Sequence, residues 1–357
     1  MSMILWIPKC ILLLIISLLI FTSSSMKAYA VNERLQVAAV QMKWSIEDYS
    51  SAEAFARRIK ALLEDVRSNT DKTIPTIVVF PEDIGTPLIF TGHNVEHLLS
   101  IKNAVNLAVR SNIGAVLWNR IWYRVSWVRG LALAKANAAV KIYVDTFSEM
   151  AEEYQVYIVA GSICIPDYDI VHGRLGKRSK GNYGNIYNIS YFFGPDGKII
   201  GTQKKSYLTE MECSDGLDLV PGKLEEMEVF DTDIGKIAIA ICYDAFKEEV
   251  IQKLLREGGE ILIQPSANPS LWNKVQQEDW LNSSWKHTYQ DKLFKCAINS
   301  MMVGDLFDLK CEGQSSIITK SELSSQKGYM SSDIYAGFQR VARTKDDEEV
   351  LVTIVEL

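Results

Sequence analysis

The sequence predicts an α/β protein in which mixed sheets are covered by helices. Three observations carry that reading. Short apolar runs that read as strands alternate with segments of helical periodicity. Strong turn signals join pairs of strands into hairpins. No repeat or low-complexity linker interrupts residues 35–357. The 357 residues, 48% of them hydrophobic, can bury one large core or two small ones. With 23% charged residues and a mean hydropathy of +0.01, the chain is neither disordered nor a multi-span membrane protein. A net charge of −6 argues against a dedicated nucleic-acid binder.

The first thirty residues stand apart from the fold. Lys9 precedes the apolar run Cys10 to Phe21, and Ala28-Tyr29-Ala30 follows. That is an n-region, an h-region and a small-x-small cleavage site, as in a secretory signal peptide cut after Ala30. The alternative is an N-terminal anchor. Met3 to Phe21 approaches the ~20 residues of a spanning helix if Lys9 reaches the interface. The expected organisation is residues 1–30 as signal peptide or anchor and 31–357 as one domain, extracytoplasmic, secreted or membrane-anchored. Residues 1–30 hold Lys9, Lys27 and no acid, so the remainder carries 36 basic against 44 acidic residues, net −8.

Leu35 to Gln41 (LQVAAVQ) reads as a strand. Ser51 to Arg67 places Ala52, Phe55, Ile59, Leu62, Leu63 and Val66 on one helical stripe. Thr76 to Phe80 (TIVVF) is a short buried strand stopped by Pro81. Val144 to Tyr154 reads as a helix, and Val156 to Gly161 as the strand after it. Tyr187–Phe193 and Lys198–Lys204 form a hairpin around Gly194-Pro195-Asp196-Gly197. A second hairpin brackets Asp233-Ile234-Gly235-Lys236 and continues into the apolar strand Ile237–Ile241. A helix over Glu248–Glu257 leads to the strand Ile261–Gln264, and Val350–Val355 alternates like an edge strand.

Beyond residue 30 the cysteines are Cys164, Cys213, Cys242, Cys296 and Cys311. An odd number without CxxC spacing suggests neither a disulfide framework nor a zinc site. At least one thiol is therefore unpaired in a monomer, and it is a candidate nucleophile.

Three segments place reactive side chains at strand ends, where α/β sheets bind ligands. Phe80-Pro81-Glu82 puts an acid directly after an apolar strand. Gln203-Lys204-Lys205-Ser206-Tyr207-Leu208 ends a hairpin, and adjacent lysines on a strand point to opposite faces, so one can face inward. Ile237 to Ile241 delivers Cys242 at a strand tip, followed by Tyr243-Asp244 and a turn whose N–H groups can bind an oxyanion. Taken singly, Glu82 reads as a solvated carboxylate, the lysines as a solvated edge and Cys242 as an inert buried thiol.

Together these segments resemble the carbon–nitrogen hydrolase (nitrilase) superfamily. The marks are LQVAAVQ, VVFPE, YNISYFFGPDGKIIGTQKKSYL, GKIAIAICYD, QPSANPS, CAINSMMVG and GQSSII, from about Leu35 to Leu357. The resemblance implies a four-layer α-β-β-α sandwich and a Glu–Lys–Cys triad in that chain order. Glu82 is then the general base, Lys205 the cation that stabilises the oxyanion, and Cys242 the nucleophile. Lys205 is preferred to Lys204 because Lys205-Ser206-Tyr207-Leu208 fits the motif Lys-x-His-Leu, with Tyr207 in place of His. A fourth family residue, a second Glu after the Lys, matches Glu212 better than Glu210. The Tyr243 N–H joins Lys205 at the oxyanion. The resemblance implies no cofactor and no metal, a small-molecule amide substrate, and a homodimer or larger homo-oligomer.

The residue types suit the chemistry. Amide carbons are poor electrophiles, so a thiolate attacks them better than water. A free Cys is mostly thiol at neutral pH and needs a base or a cation beside it. Tyr243-Asp244 after the Cys is similar to the amidase and carbamoylase branches, which favours amide over nitrile hydrolysis. Ala245-Phe246-Lys247-Glu248-Glu249 departs from the family's Arg-Phe-Pro-Glu and leaves the substrate contacts open. Passage of the thioester to an amine or lipid-linked acceptor makes an acyltransferase the alternative activity, and a binding protein that kept the sandwich is a third reading. No Cys–His pairing, GxSxG or HExxH spacing supports other hydrolase chemistries.

An insert near 95–140 departs from the family. Between Glu96 and Asp145 there is no acid, while Lys102, Arg110, Arg120, Arg124, Arg129, Lys135 and Lys141 are basic and Trp118, Trp122 and Trp127 aromatic. A helix over Leu117–Leu131 would put Trp118, Trp122 and Val125 on one side. The insert reads as a helical lid or dimer contact, or as a surface that meets an anionic membrane.

Overall fold

The described chain opens on β1 (Arg34–Trp44), whose apolar residues are buried on both faces, as a central strand requires. In this computed structural model the described residues are 34–181, 183–322 and 327–357. The expected signal peptide or anchor, residues 1–30, lies outside them. After β1 comes α1 (Ala52–Ser68), started by Ser51, whose hydroxyl accepts from the Ala54 amide at 3.1 Å. Its Phe55, Ile59, Leu62, Leu63 and Val66 form the buried stripe. β2 (Thr76–Val79) lies parallel to β1.

Three helices follow: α2 (Ile101–Ser111), α3 (Ile113–Tyr123) and α4 (Trp127–Tyr154). Next are β3 (Tyr157–Val159), β4 (Ile163–Ile165), the small hairpin β5 (Tyr168–Val171) and β6 (Arg174–Arg178), and the hairpin β7 (Tyr187–Phe193) and β8 (Ile199–Lys204). A second hairpin, β9 (Val229–Thr232) and β10 (Gly235–Ile239), leads to α5 (Glu248–Arg256) and β11 (Ile261–Ala267). Then come α6 (Lys274–Trp280), β12 (Cys296–Leu306), β13 (Leu309–Cys311), β14 (Ser316–Thr319), β15 (Phe338–Val341) and β16 (Glu349–Glu356).

β1 belongs to two sheets. Its residues 36–39 pair with β2 and 34–41 with β16, while Met42, Lys43 and Trp44 pair with β12. One sheet therefore runs β4-β7-β3-β2-β1-β16, and the other runs from the end of β1 through β12-β11-β10 to β9. Alternation along the strands assigns the layers. Leu35, Val37, Ala39, Ile77 and Val79 pack with Ile237 and Ile239 of the other sheet. Ala38, Val40, Met42 and Val78 pack instead with Phe55 and Ile59 of α1 and Tyr143 and Phe147 of α4. Val250, Ile251 and Leu254 of α5 cover the second sheet. The layers are α-β-β-α, as the resemblance implied.

The expected strands and hairpins are present with small shifts of boundary, and β16 is an edge strand bonded to β1. Two helical expectations are corrected. Leu117–Leu131 is not one helix, because Arg124 ends α3 with φ 56° and Ser126 starts α4 by accepting from the Arg129 amide at 3.1 Å. Val125 lies in the break, although Trp118 and Trp122 do share a face. The helix expected over Val144–Tyr154 begins instead at Trp127 and has 28 residues. Among the described residues, no helix is long and apolar enough to cross a membrane.

Gly161 holds β3's exit against the segment that carries Glu82. Its φ is +65°, and a Cβ there would stand 1.9 Å from the Pro81 carbonyl oxygen. Gly161→Ala is therefore expected to destabilise the protein by roughly 2 kcal/mol or more, from the left-handed backbone and the overlap together. Urea unfolding measures this, and an unchanged midpoint refutes the close approach.

Candidate active site

The carboxyl ends of the parallel strands converge. β2 delivers Glu82, and Asp83 directly after it turns the chain with φ 60°. The Asp83 amide donates to the Ser162 hydroxyl at 2.9 Å, which fixes that turn to the end of β3. β10 leads to Cys242, which opens a tight turn over Cys242–Phe246 with φ 47°. Left-handed backbone at a residue with a side chain costs about 1–3 kcal/mol and persists only where its surroundings hold it. Here Gln264 Nε2 donates to the Cys242 carbonyl at 3.3 Å, and Asp244 accepts from the Ser206 and Tyr207 backbone amides at 3.1 and 2.8 Å. Asp244 thereby ties the Cys242 turn to the Lys205 segment.

The structure brings Glu82, Lys205, Glu212 and Cys242 to one buried place, with Lys205 1% and Cys242 6% exposed. Lys205 Nζ donates to Glu82 Oε1 and to Glu212 Oε2, each at 2.7 Å. Asn188 Nδ2 bridges the same two carboxylates at 2.9 Å. The Ala267 amide donates to Glu82 Oε2 at 3.1 Å, and the Cys242 thiol lies 3.7 Å from the Ala267 carbonyl oxygen. Glu212 also accepts from the Thr209 amide at 2.8 Å and from its hydroxyl at 3.0 Å.

Burial raises the Glu82 carboxyl to about 7; Lys205 opposes the shift and Glu212 adds to it. Burial also favours a neutral Glu212, but Lys205, Asn188 and Thr209 outweigh it and hold that carboxyl below its ordinary range. For Lys205 burial works against charge, and Glu82, Cys242 and Glu212 together overcome it and push the ammonium up. Burial and the Glu82 carboxylate push the Cys242 thiol well above its ordinary range. Burial lifts Asp244 to about 7 against the pull of the two amides it accepts from.

The neighbouring choices separate clearly. Lys204 turns away from Lys205 and pairs with Asp167 at 2.7 Å, as adjacent strand residues must. Glu210 is exposed where Glu212 is buried. Tyr207, in the place of the motif His, donates its hydroxyl to Glu249 at 2.7 Å at the surface. Tyr243 follows Cys242 in the turn, with its ring at the mouth and Lys247 Nζ 3.9 Å from the ring centre. Sequence reasoning missed Asn188, Thr209, Ala267 and the tether formed by Asp244. Two signals were visible: Asn188, a polar side chain inside the run YNISYFF, and Thr209, three residues before Glu212 at capping-box spacing.

A cleft of about 460 Å³ opens onto Cys242, with Tyr243, Phe246 and Trp280 among its walls and Asn268, Gln276, Asp279 and Asn282 as polar groups. Asp279 is the one charged side chain among the described residues that line it. The described cysteines are all free thiols. Among the described residues, no group of three or more His, Cys, Asp or Glu is placed to hold a metal ion. The arrangement offers a thiol, a base near neutrality and a fixed cation around one point, which is a set for covalent acyl transfer.

Solved structures share the fold. A carbon–nitrogen hydrolase from Helicobacter pylori G27 matches over 91% of this chain and 89% of its own, with a TM-score of 0.57 and 18% identity. Nit3 of Saccharomyces cerevisiae matches over 91% of each chain, with a TM-score of 0.55 and 18% identity. In sequence, omega-amidase NIT2-A of Xenopus laevis is 28% identical over 149 residues, 37% of this chain and 46% of that protein. The probable hydrolase YhcX of Bacillus subtilis is 32% identical over 135 residues, 38% of this chain and 23% of that protein. The matched part thus spans less than half the length of these two relatives. The profile of the carbon-nitrogen hydrolases matches residues 36–321, from β1 past β14, and so takes in all four converging side chains. The chain belongs to the carbon–nitrogen hydrolase family.

Proposed function

We propose that the protein hydrolyses a C–N bond other than a peptide bond, in an amide or carbamoyl group, through a thioester on Cys242. The observation that carries this reading is the buried ammonium of Lys205 held at 2.7 Å from both Glu82 and Glu212, with Glu82 and the Cys242 thiol meeting the backbone of the same residue, Ala267. Glu82 takes the thiol proton as Sγ attacks the carbonyl carbon. The C=O π pair moves to oxygen, and that oxyanion faces Lys205 and the Tyr243 N–H. The C–N bond breaks as Glu82 passes its proton to nitrogen, and the amine leaves. Water then gives a proton to Glu82 and attacks the thioester. The C–S bond breaks, the acid leaves and Cys242 recovers its proton. Glu212 stays ionised and positions Lys205. Transfer of the acyl group to an amine shares the first half of this sequence. Asp279 favours an acyl portion that is neutral or cationic over one carrying a carboxylate. Mass spectrometry of the protein with small amides of all three charges tests the whole reading. The expected result is an acyl adduct on Cys242, and adducts confined to another residue refute it.

The three groups act as a unit. Cys242→Ala is expected to stay folded by circular dichroism and to lose several orders of magnitude in ammonia release. Glu82→Gln and Lys205→Met are each expected to abolish turnover, and the double variant to be no worse than the single ones. If the double loss equals the product of the single losses, the groups work independently.

A base must be ionised to accept a proton. With Glu82 raised to about 7, kcat/KM is expected to fall about ten-fold per unit as the pH drops below that value. A profile flat from pH 5 to 8, measured on a substrate that does not titrate there, removes Glu82 as the base.

We further propose that residues 1–30 export the chain and are cut after Ala30. N-terminal sequencing of the native protein is expected to start at Val31. A start at Met1 or Ser2 in a membrane fraction supports the anchor instead.

A further inference from the structure

α3 is built inside out. Ile113, Leu117, Trp118, Ile121 and Trp122 fall within one half of its circumference. All five are exposed, Trp118 by 62%, Ile121 by 76% and Trp122 by 67%. The two indoles stack with centroids 5.4 Å apart and planes 8° from parallel. The other half of the helix carries Val116, its one buried residue, together with Asn119 and Arg120. Asn119 Nδ2 donates to the Gly130 carbonyl at 3.1 Å, and the Arg120 guanidinium lies 3.9 Å from the centre of the Trp127 ring. Polar groups thus face α4 while the apolar groups face outward, the reverse of an ordinary surface helix.

The helices around this face carry charge of one sign. Arg110 in the last turn of α2 and Arg124 at the end of α3 are both exposed, and α2, α3 and the first half of α4 contain no acid. A groove of about 800 Å³ beside the face, lined by Val105, Val109, Ile113, Trp127, Met211 and Leu217, continues the apolar surface. Glu210 and Asp215 reach that groove from the segment that holds Glu212. Asp218 is taken by Arg129 at 2.6 Å.

We propose that α3 lies in the headgroup layer of an anionic membrane with its apolar face toward the acyl chains. Indole rings settle at headgroup depth, and Arg110 and Arg124 meet acidic headgroups at the two ends of the helix. A second copy fits worse. A two-fold contact through this face would set the arginines of both copies beside one another with no acid on the helix to offset them. The inference rests on the surface of α2, α3 and α4 and not on the proposed reaction.

The test uses the full chain with vesicles containing brominated phosphatidylcholine, either alone or with an equal amount of phosphatidylglycerol. The readout is quenching of tryptophan emission. Trp118→Phe with Trp122→Phe identifies the signal of the pair, since Trp6 and the other indoles are common to every arm. Leu117→Ser with Ile121→Ser keeps both indoles and breaks the face, and far-UV circular dichroism with the thermal midpoint checks that its fold is intact. The expected result is strong quenching of the pair on anionic vesicles. It should fall roughly ten-fold or more on neutral vesicles or in about 1 M salt, and be lost in the Leu117→Ser, Ile121→Ser variant. No quenching of the pair, or equal quenching on both vesicles, overturns the proposal. So does a lipid-free dimer that the same variant dissociates, which would assign the face to a second copy.

Discussion

A buried ammonium cannot stand alone, and the site is organised around that constraint. Desolvating Lys205 costs several kcal/mol, and only close, hydrogen-bonded counter-charges offset it. The two carboxylates that do so arrive from different places, Glu82 from the end of β2 and Glu212 from the short turn Glu210–Glu212. Asn188 on β7 bonds to both. The cation therefore fixes the separation of three chain segments. Without it, Glu82 and Glu212 would be like charges buried together.

The two carboxylates differ because their surroundings differ. Glu212 accepts from Asn188, Lys205 and both polar groups of Thr209, enough to keep it ionised. Glu82 is as deeply buried but accepts only from Lys205, Asn188 and the Ala267 amide, and burial raises its carboxyl to about 7. One acid is thus suited to hold charge and the other to exchange a proton. The Cys242 turn is registered against this pair through Asp244, whose carboxylate crosses to the backbone of the lysine segment. The position of the thiol depends on a hydrogen bond as much as on the strand that precedes it.

Glu82, Lys205 and Cys242 were legible in the sequence because each follows a strand that its own composition reveals. Glu212 was named only through the resemblance, although Thr209-Glu210-Met211-Glu212 has the spacing of a capping box, which the structure forms and which Glu210 does not fit. Ala267 was not legible, because it acts through its backbone amide and carbonyl. The length of α4 was hidden for a related reason. Gly130, Leu131, Ala132 and Leu133 are all buried in succession, so that half of the helix shows no stripe. The strands from β12 to β15 were unread, β12 because it mixes Asn299 and Ser300 into a run buried on both faces. Where β16 sits, by contrast, followed from plain alternation, and its partner could not.

That partner is the first strand of the fold. β16 pairs with β1 from Arg34 opposite Glu356 to Gln41 opposite Glu349, across nearly the whole chain. A chain that emerges from its N-terminus at the ribosome exposes the β1 edge until residues 349–356 arrive. Closure of so long a loop is slow, and an unpaired hydrophobic edge is a template for association with other chains. The vulnerable period therefore lasts from the synthesis of β1 to that of β16, and a nascent chain truncated before residue 349 would keep that edge open.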